Sequence, residues 1–261
     1  MEWRYTKLGY SNLIKRRWKI NKITFGIIDD YLFYDKSIHP VHISEQIPEW
    51  YKSVPNNLYR KVSHFKYLNN LKTIRSCSSF VNVFKNGYVI LAPTDILLIY
   101  NSESKTYNWE VPYVWKIMFP DRELIESHSG KQMLDYTPIN KEKIILKLNL
   151  PYTIFTNNGY SCIQMEVPYS YNEDWKIPYG ILDTDKIHEL NLQLIITTED
   201  KEILIKKGTP LALYIPFKRE KHIMNVVNIN TNKKFFKRFK KYTVGLFGSF
   251  KYSVNKLKGT Q

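Results

Sequence analysis

The sequence predicts a mainly β protein, an antiparallel sandwich or barrel with a few short helices and a basic C-terminal helix. Short apolar runs separated by Gly, Pro, Asn and Asp are the pattern of strands joined by turns. The runs lie at 88–92, 144–148, 192–196, 203–205 and 211–215. Between them we find no helical pattern of the roughly 10–15 residues that an α/β fold requires. An antiparallel arrangement is therefore favoured.

The first third of the chain contributes one strand and one short helix to this prediction. The run 23–28 indicates an opening strand or hairpin. Pro48 can occupy the first turn of a helix and Pro55 must end it, so a short helix is expected between them. We expect its aromatic pair, Trp50 and Tyr51, to pack in the interior.

Two Asn-Gly pairs mark further turns. Asn86-Gly87 and Asn158-Gly159 each precede a tyrosine, an apolar stretch and a proline. Asn-Gly is a favoured pair in two-residue hairpins, so both sites predict hairpin turns within two similar β layers. Because Pro93 cannot donate to a central ladder, the residues around it are expected to form two successive strands, or one strand with an edge bulge, in place of a single long strand.

The clearest local pattern lies at 177–219, where turn residues and three apolar runs predict a compact all-β unit. We expect a β-rich domain over 1–220 and a basic tail over 221–261. Any internal boundary is expected at about 121–142, within a polar stretch. The longest apolar run is about half of the roughly 20 residues that a spanning helix needs, so no transmembrane segment is expected. The N-terminus lacks the apolar segment of a signal peptide.

The formal net charge is +15. Clustered Lys and Arg bind phosphate backbones, so this charge indicates a polyanionic partner. It is equally consistent with the Lys-rich and Asn-rich composition that AT-rich coding sequences favour. Both interpretations stay open.

The tail after Glu220 contains no acidic residue. Phe235, Phe239, Tyr242 and Leu246 fall on one face of a helix whose other face is basic. This helix either contacts nucleic acid or covers the β core with its charges in solvent. The nucleic-acid-binding candidates are Lys233, Lys234, Lys237, Arg238, Lys240 and Lys241.

Residue types that often carry chemistry are sparse. His39 and His42 flank a proline without other ligands at metal spacing, so we expect a solvated loop and no metal site. Cys77 and Cys162 lie in or beside strand patterns, and we expect both to be buried core thiols. There is no P-loop, no dinucleotide fingerprint and no Gly-x-Ser-x-Gly. The motifs assign no catalytic residue and no cofactor.

Gly180, Asp183 and Asp185 are the best candidate ligand-binding residues. Residues two apart on an extended chain point the same way, so the two carboxylates can act together. Such a pair can bind a cation or a sugar hydroxyl, or it can satisfy turn amides. We expect Gly180 and Asp183 to hold a tight turn in either case.

The segments Gly180-Ile-Leu-Asp-Thr-Asp185 and Ile205-Lys-Lys-Gly-Thr-Pro-Leu-Ala212 resemble the central hairpin motif of the dUTPase and dCTP deaminase superfamily. Val244-Gly-Leu-Phe-Gly-Ser249 is similar to that superfamily's glycine-rich phosphate lid. The resemblance covers some 45 residues and implies a dUTPase-like β architecture with a nucleotide site at the Gly180–Asp185 turn. Where the superfamily has Tyr-Arg-Gly, this chain has Lys186, Ile187 and His188.

A broader resemblance, over roughly 45–220, is to an uncharacterised family of tailed-bacteriophage and bacterial proteins, especially from marine phages. It rests on motifs that include Ile47-Pro-Glu-Trp-Tyr-Lys52, Thr73-Ile-Arg-Ser-Cys77, Asn158-Gly-Tyr-Ser161, Gly180–Asp185 and Ile215-Pro-Phe-Lys-Arg219. This resemblance implies a phage origin, with location in the host cytoplasm or the virion, and assigns no activity.

Two functional hypotheses follow. In the first, the chain is a phage-encoded, non-enzymatic β-rich binding or structural protein. Its partners are nucleic acid or other phage or host proteins, and its basic tail contacts nucleic acid or an acidic surface. In the second, it is a dUTPase-like enzyme that binds or hydrolyses nucleotides. The tail favours the first hypothesis, and the Gly180–Asp185 turn favours the second.

Overall fold

The computed structural model describes residues 22–58, 71–120, 122–128, 144–198, 201–228 and 231–242. The strands are β1 (Ile23–Ile27), β2 (Val41–His42), β3 (Asn57–Leu58), β4 (Leu71–Lys72), β5 (Tyr88–Leu91), β6 (Ile96–Asn101), β7 (Thr106–Glu110), β8 (Ile125–His128), β9 (Ile145–Thr156), β10 (Tyr160–Met165), β11 (Trp175–Lys176), β12 (Gly180–Leu182), β13 (Glu189–Ile196), β14 (Ile203–Ile205) and β15 (Pro210–Lys218). The helices are α1 (Asp30–Tyr34), α2 (Glu49–Ser53), α3 (Ser78–Val83), α4 (Tyr113–Met118) and α5 (Lys233–Tyr242).

Contacts divide the described residues into two compact units. Of these residues, the first unit takes those up to Pro55 and those from Asn82 to Arg219, and the second takes those from Asn56 to Val81 and those from Glu220 onward. Most of the boundary predicted at 121–142 lies outside the described residues. No helix in the described part of the chain is long and apolar enough to cross a membrane.

The first unit contains three sheets, and every strand pair in them is antiparallel. One sheet has the order β1-β9-β13-β11, with β8 also paired to β9; the second has the order β12-β10-β15-β5-β2; the third has the order β14-β6-β7. The predicted mainly β, antiparallel fold is confirmed.

A single hydrophobic core is shared by the three sheets. β13 alternates accessible and buried positions over 189–194, because successive side chains on a strand point to opposite faces, whereas Leu211–Tyr214 of β15 are all buried. The buried faces then meet in one cluster, as in a sandwich. Its members include Leu148 and Leu192 from the first sheet, Ile90 and Ala212 from the second, and Leu98 and Ile205 from the third.

The predicted compact unit at 177–219 is wrong in its connectivity, although its strands are real. β13, β14 and β15 follow one another in sequence, yet each belongs to a different sheet. β14 pairs with β6, and β15 lies between β10 and β5. These three strands are therefore consecutive in sequence but are not hydrogen-bonded to one another.

The Asn-Gly pairs form turns but not hairpins, which corrects the prediction. Gly87 lies between α3 and β5, with φ +110°. Gly159 has φ +82° and joins β9 to β10, which belong to different sheets. The predicted break at Pro93 is confirmed, since β5 and β6 also lie in different sheets.

The helices are more numerous than predicted. α2 and α5 lie where helices were expected, and Tyr51 of α2 is buried at 5% exposure. α1, α3 and α4 were not expected. In α4 the run Tyr-Val-Trp-Lys-Ile-Met has strand-forming residues, but Pro112 precedes it at the N-cap, and Trp115 becomes buried.

The second unit contains β3 paired with β4, the helix α5 and the segment 220–228. Asn232 caps α5, because its side-chain Oδ1 accepts a hydrogen bond from the amide of Phe235 at 3.3 Å. The C-terminal helix is therefore confirmed over Lys233–Tyr242. The rest of the predicted amphipathic stretch, including Leu246, lies outside the described residues.

Candidate functional site

A tight turn follows β12, as expected, and Asp183 begins it. The Asp183 carbonyl accepts hydrogen bonds from the amides of Lys186 at 2.8 Å and Ile187 at 2.9 Å. Gly180 is not part of this turn. It is the first residue of β12, pairs with Gln164, and its φ lies outside the left-handed region. The turn function assigned to Gly180 was therefore wrong.

Arg219 brings the two candidate carboxylates together. It follows β15 directly, and its amide donates to the carbonyl of Gly159 at 2.8 Å. Its Nη1 lies 2.8 Å from Asp183 Oδ1, and its Nη2 forms an ion pair with Asp185 Oδ2. Ser161, fully buried on β10, donates from Oγ to Asp183 Oδ1 at 2.7 Å and accepts from Arg219 Nη1 at 3.0 Å.

We call Ser161, Asp183, Asp185 and Arg219 the carboxylate cluster. Its two acids differ in exposure, since the Asp185 side chain is 5% exposed and that of Asp183 is 42% exposed. Asp185 Oδ2 also accepts from the Gly159 amide at 2.8 Å, while its Oδ1 is buried with no hydrogen-bond partner. Asp185 therefore satisfies a turn amide, one of the two functions considered for it.

The cluster keeps both acids ionised. The Ser161 hydrogen bond, followed by the one from Arg219, lowers the pKa of Asp183. Arg219 and then the Gly159 amide lower the pKa of Asp185, and the same pairing raises the pKa of Arg219. Donors to an ionised carboxylate favour its charged form. Such groups are good hydrogen-bond acceptors and weak general bases at neutral pH.

Thr184, between the two acids, is fully buried. Its hydroxyl lies 2.8 Å from that of Thr156 and donates to Cys162 Sγ at 3.6 Å. Cys162 is buried on β10, as predicted, and burial raises the pKa of its thiol. These contacts hold the turn against the inner face of the sheet.

Cys77 does not follow the prediction of a buried strand thiol. It is half-buried and lies between the 3₁₀ turn Ile74–Ser76 and α3. Hydrogen bonds from the amides of Phe80 and Ser79 lower the pKa of this thiol. This is the effect expected at a helix N-terminus, where amides lack partners.

The sequence did not identify Ser161 and Arg219 as site residues. Both stand in the motifs of the phage-family resemblance, but neither carries a pattern of its own, and they lie 22 and 34 residues from the acids that they contact. Only the strand order, with β10 between β12 and β15, places them together.

A separate cavity of about 450 Å³ opens on the first unit. Trp175, Ile177 and Leu211 form part of its apolar wall, and Glu45 and Glu166 contribute acidic groups. Tyr169 and Tyr171, on either side of the lining residue Ser170, have φ of +60° and +52°. Non-glycine residues in this region carry backbone strain of about 1–3 kcal/mol each.

The predicted histidine loop makes local contacts. His39 Nε2 lies 2.8 Å from the Phe33 carbonyl, and His42 Nδ1 lies 2.7 Å from Ser44 Oγ. Within the described ranges, no group of three or more His, Cys, Asp or Glu side chains could hold a metal ion.

The basic candidates lie on or near α5. Lys233, Lys234 and Lys237 are exposed on this helix. The side chains of Arg238, Lys240 and Lys241 lie outside the part of the chain that the structure describes. Their function in nucleic-acid binding stays a prediction.

Comparison with known proteins gives structural neighbours only. No protein-family model matches the chain, and no curated protein matches it. The equine infectious anaemia virus (EIAV) dUTPase is 11% identical over 56% of this chain and 87% of its own, with a TM-score of 0.30. The D95E dUTPase of phage 80α is 11% identical over 80% and 97%, with a TM-score of 0.35. The D95N dUTPase of the Staphylococcus aureus phage φ11 is 10% identical over 79% and 97%, with a TM-score of 0.35.

Phage dUTPases are thus among the structural neighbours of this chain, at very low identity. Similarity at this level does not place the chain in a family. The resemblance to an uncharacterised phage family stays a prediction, because no match tests it.

Proposed function

We propose that this chain is a non-catalytic, phage-encoded binding protein whose β-rich unit takes a small hydroxylated ligand, such as a sugar or nucleoside, at the carboxylate cluster. The observation that carries the proposal is the position of Asp183. Its carboxylate is 42% exposed, yet Ser161 and Arg219 both hold its Oδ1. An acceptor that is fixed before binding loses little conformational freedom when the ligand arrives.

The electrostatics of the cluster favour binding over hydrolysis. One guanidinium pairs with two carboxylates, and the pKa values of both are lowered. A general base works best with a pKa near the working pH, and these groups are shifted away from it. Ionised oxygens accept hydrogen bonds from ligand hydroxyls well, because charge-assisted bonds are the stronger ones.

A thermal-shift screen with nucleosides, nucleotides and monosaccharides, with and without Mg²⁺, tests the proposal. A ligand at 100 times its Kd should stabilise the fold by about 2.7 kcal/mol. Asp183→Asn should abolish the shift. Glu103→Gln, at an exposed acid in the β6–β7 turn, is the matched control and should retain it.

Two results would overturn the proposal. If no compound raises the Tm of the wild type, the carboxylate cluster has only a structural function. If chromatography shows that a nucleotide is converted by the wild type but not by Asp183→Asn, the alternative of a dUTPase-like hydrolase replaces ours.

We propose a second function for α5, which is to contact nucleic acid or another polyanion. The three exposed lysines and the lack of any acidic residue in 221–261 support it. The triple variant Lys233→Gln/Lys234→Gln/Lys237→Gln keeps helix propensity and removes three charges. Lys36→Gln/Lys85→Gln/Lys206→Gln removes the same charge from exposed positions elsewhere. Only the α5 variant should weaken DNA binding; equal losses in both would indicate a general charge effect.

A further inference from the structure

The first unit contains a second cavity, remote in sequence from the carboxylate cluster. It measures about 320 Å³ and lies beside α4 and the segment that leads to β8. Trp109, Trp115 and Phe119 give it aromatic walls, and Leu124 adds an aliphatic one. This volume is within the range of small-molecule sites.

One residue that lines this cavity has a buried donor without an acceptor. Trp115 is only 5% exposed, and its Nε1 is buried with no hydrogen-bond partner. Its ring is held in place by Phe119, with centroids 4.6 Å apart and an interplanar angle of 43°. A buried indole N–H without a partner is destabilising, so an acceptor that reaches it recovers the energy of the missing hydrogen bond.

The charged lining residues favour an anionic acceptor. Lys116 and Arg122 both line the cavity, with Glu123 as the opposing charge. Arg122 is positioned by its own backbone and side chain: its amide donates to the Phe119 carbonyl at 3.3 Å, and its Nη2 donates to the Leu150 carbonyl at 3.0 Å. A guanidinium has five N–H donors, so most of them remain for a ligand.

We propose that this cavity binds a small organic carboxylate with an aromatic body. The carboxylate accepts a hydrogen bond from Trp115 Nε1 and is neutralised by Lys116 and Arg122, and the aromatic body packs on Trp109 and Phe119. An inorganic anion would satisfy the donors but leave the aromatic walls uncovered. A neutral aromatic would do the reverse.

Nuclear magnetic resonance of the indole N–H groups tests this directly. The chain has six tryptophans, and Trp115→Phe identifies the Trp115 signal by its loss from the spectrum. Phenylacetate, benzyl alcohol and inorganic phosphate are the probes, each titrated to about 10 mM to detect a Kd near 1 mM. Phenylacetate should move the Trp115 indole proton downfield and saturate, while the other two should have little effect.

Two variants of cavity residues and one control variant separate binding from folding. Lys116→Met changes an exposed residue of α4 and should weaken phenylacetate binding several-fold with an unchanged Tm, while Lys85→Met, outside the cavity, should not. Trp115→Phe should weaken phenylacetate binding by about 10-fold, which is the effect of losing one hydrogen bond to a charged group. The proposal is overturned if phenylacetate leaves the Trp115 signal unmoved, if phosphate or benzyl alcohol moves it equally, or if Lys116→Met binds as the wild type does.

Discussion

Arg219 Nη1 lies 2.8 Å from Asp183 Oδ1, which ties the residue after β15 to the turn after β12. β10 lies between those two strands and contributes Ser161 to the same contact. The carboxylate cluster therefore spans three strands of one sheet at one end. Its members hold the turn whether or not a ligand binds there.

Arg219→Met should lower the Tm, because the 5% exposed Asp185 would lose its cationic partner inside the fold. Adding Asp185→Asn should restore part of the loss, since the buried charge is then removed as well. Differential scanning calorimetry of the single and double variants measures the coupling between them. Purely additive effects would contradict a direct pairing. Lys206→Met, at an exposed position, is the control.

Acid should destabilise the protein through these same carboxylates. The pKa values of Asp183 and Asp185 are lowered in the fold, so their stabilisation is present above the unfolded value of about 3.9. It is lost as the pH falls through the folded pKa. Urea midpoints measured from about pH 6 down to pH 2 should therefore fall more steeply for the wild type than for Asp183→Asn/Asp185→Asn. Parallel curves would show that other groups control acid unfolding.

Three glycines should respond differently to alanine. At Gly87, with φ +110°, a Cβ would lie 2.8 Å from Leu213 Cδ1 and 2.9 Å from the Tyr214 carbonyl, so we expect a loss of roughly 2–6 kcal/mol. At Gly159, with φ +82° and open space, the expected loss is about 1–2 kcal/mol.

Gly180 is the control in this glycine series. A Cβ there would meet only Leu182 Cδ1 at 3.9 Å, so Gly180→Ala should be neutral or stabilise by up to about 1 kcal/mol. Chemical denaturation ranks the three variants. If Gly180→Ala proved the most damaging, the strand position of this glycine would be wrong.

Tyr152→Phe should cost about 1–3 kcal/mol. The fully buried hydroxyl of Tyr152 donates toward the carbonyls of Ile38 at 2.9 Å and Leu91 at 3.2 Å, and its removal leaves both acceptors buried without this donor. Tyr34→Phe, on an 80% exposed ring, should stay within about 0.5 kcal/mol of the wild type. Urea unfolding at neutral pH measures both changes. Equal midpoints for the two variants would argue against these bonds.

Removal of residues 231–261 should leave the β-rich unit folded, because its core lies within 22–55 and 82–219. The truncation removes nine of the fifteen net positive charges. Nucleic-acid affinity should then fall, and its salt dependence should flatten by about 0.9 in log–log slope for every phosphate that the shortened chain no longer neutralises. Aggregation or loss of a cooperative melt, with DNA affinity unchanged, would instead identify the helix as a structural cover.

Local patterns predicted the strands better than their partners. The apolar runs predicted β13, β14 and β15, because a strand that is buried on one face has an apolar residue at every second position. The same runs could not predict the sheet to which each strand belongs. β14, for example, pairs with β6, which lies about 107 residues earlier in the chain. The α4 helix was missed because most of its residues prefer strands, while Pro112 at the N-cap and the burial of Trp115 favour the helix.

The sequence predicted two of the four residues of the carboxylate cluster. Asp183 and Asp185 stand out because two carboxylates follow a short apolar stretch in a turn. Ser161 and Arg219 are ordinary residues until β10 and β15 pair as neighbours, with Ser161 opposite Phe217. Sequence spacing carries no information on such a pairing.

The pairing of β1 with β9 also has a consequence for synthesis on the ribosome. Ile23 lies opposite Thr156, and Ile27 lies opposite Tyr152. At about 5–20 residues per second, the roughly 130 residues between them take some 7–26 s to translate. During that time β1 offers an apolar, unpaired edge to chaperones or to neighbouring nascent chains. The yield of native protein should therefore depend on translation speed and temperature before it depends on final stability.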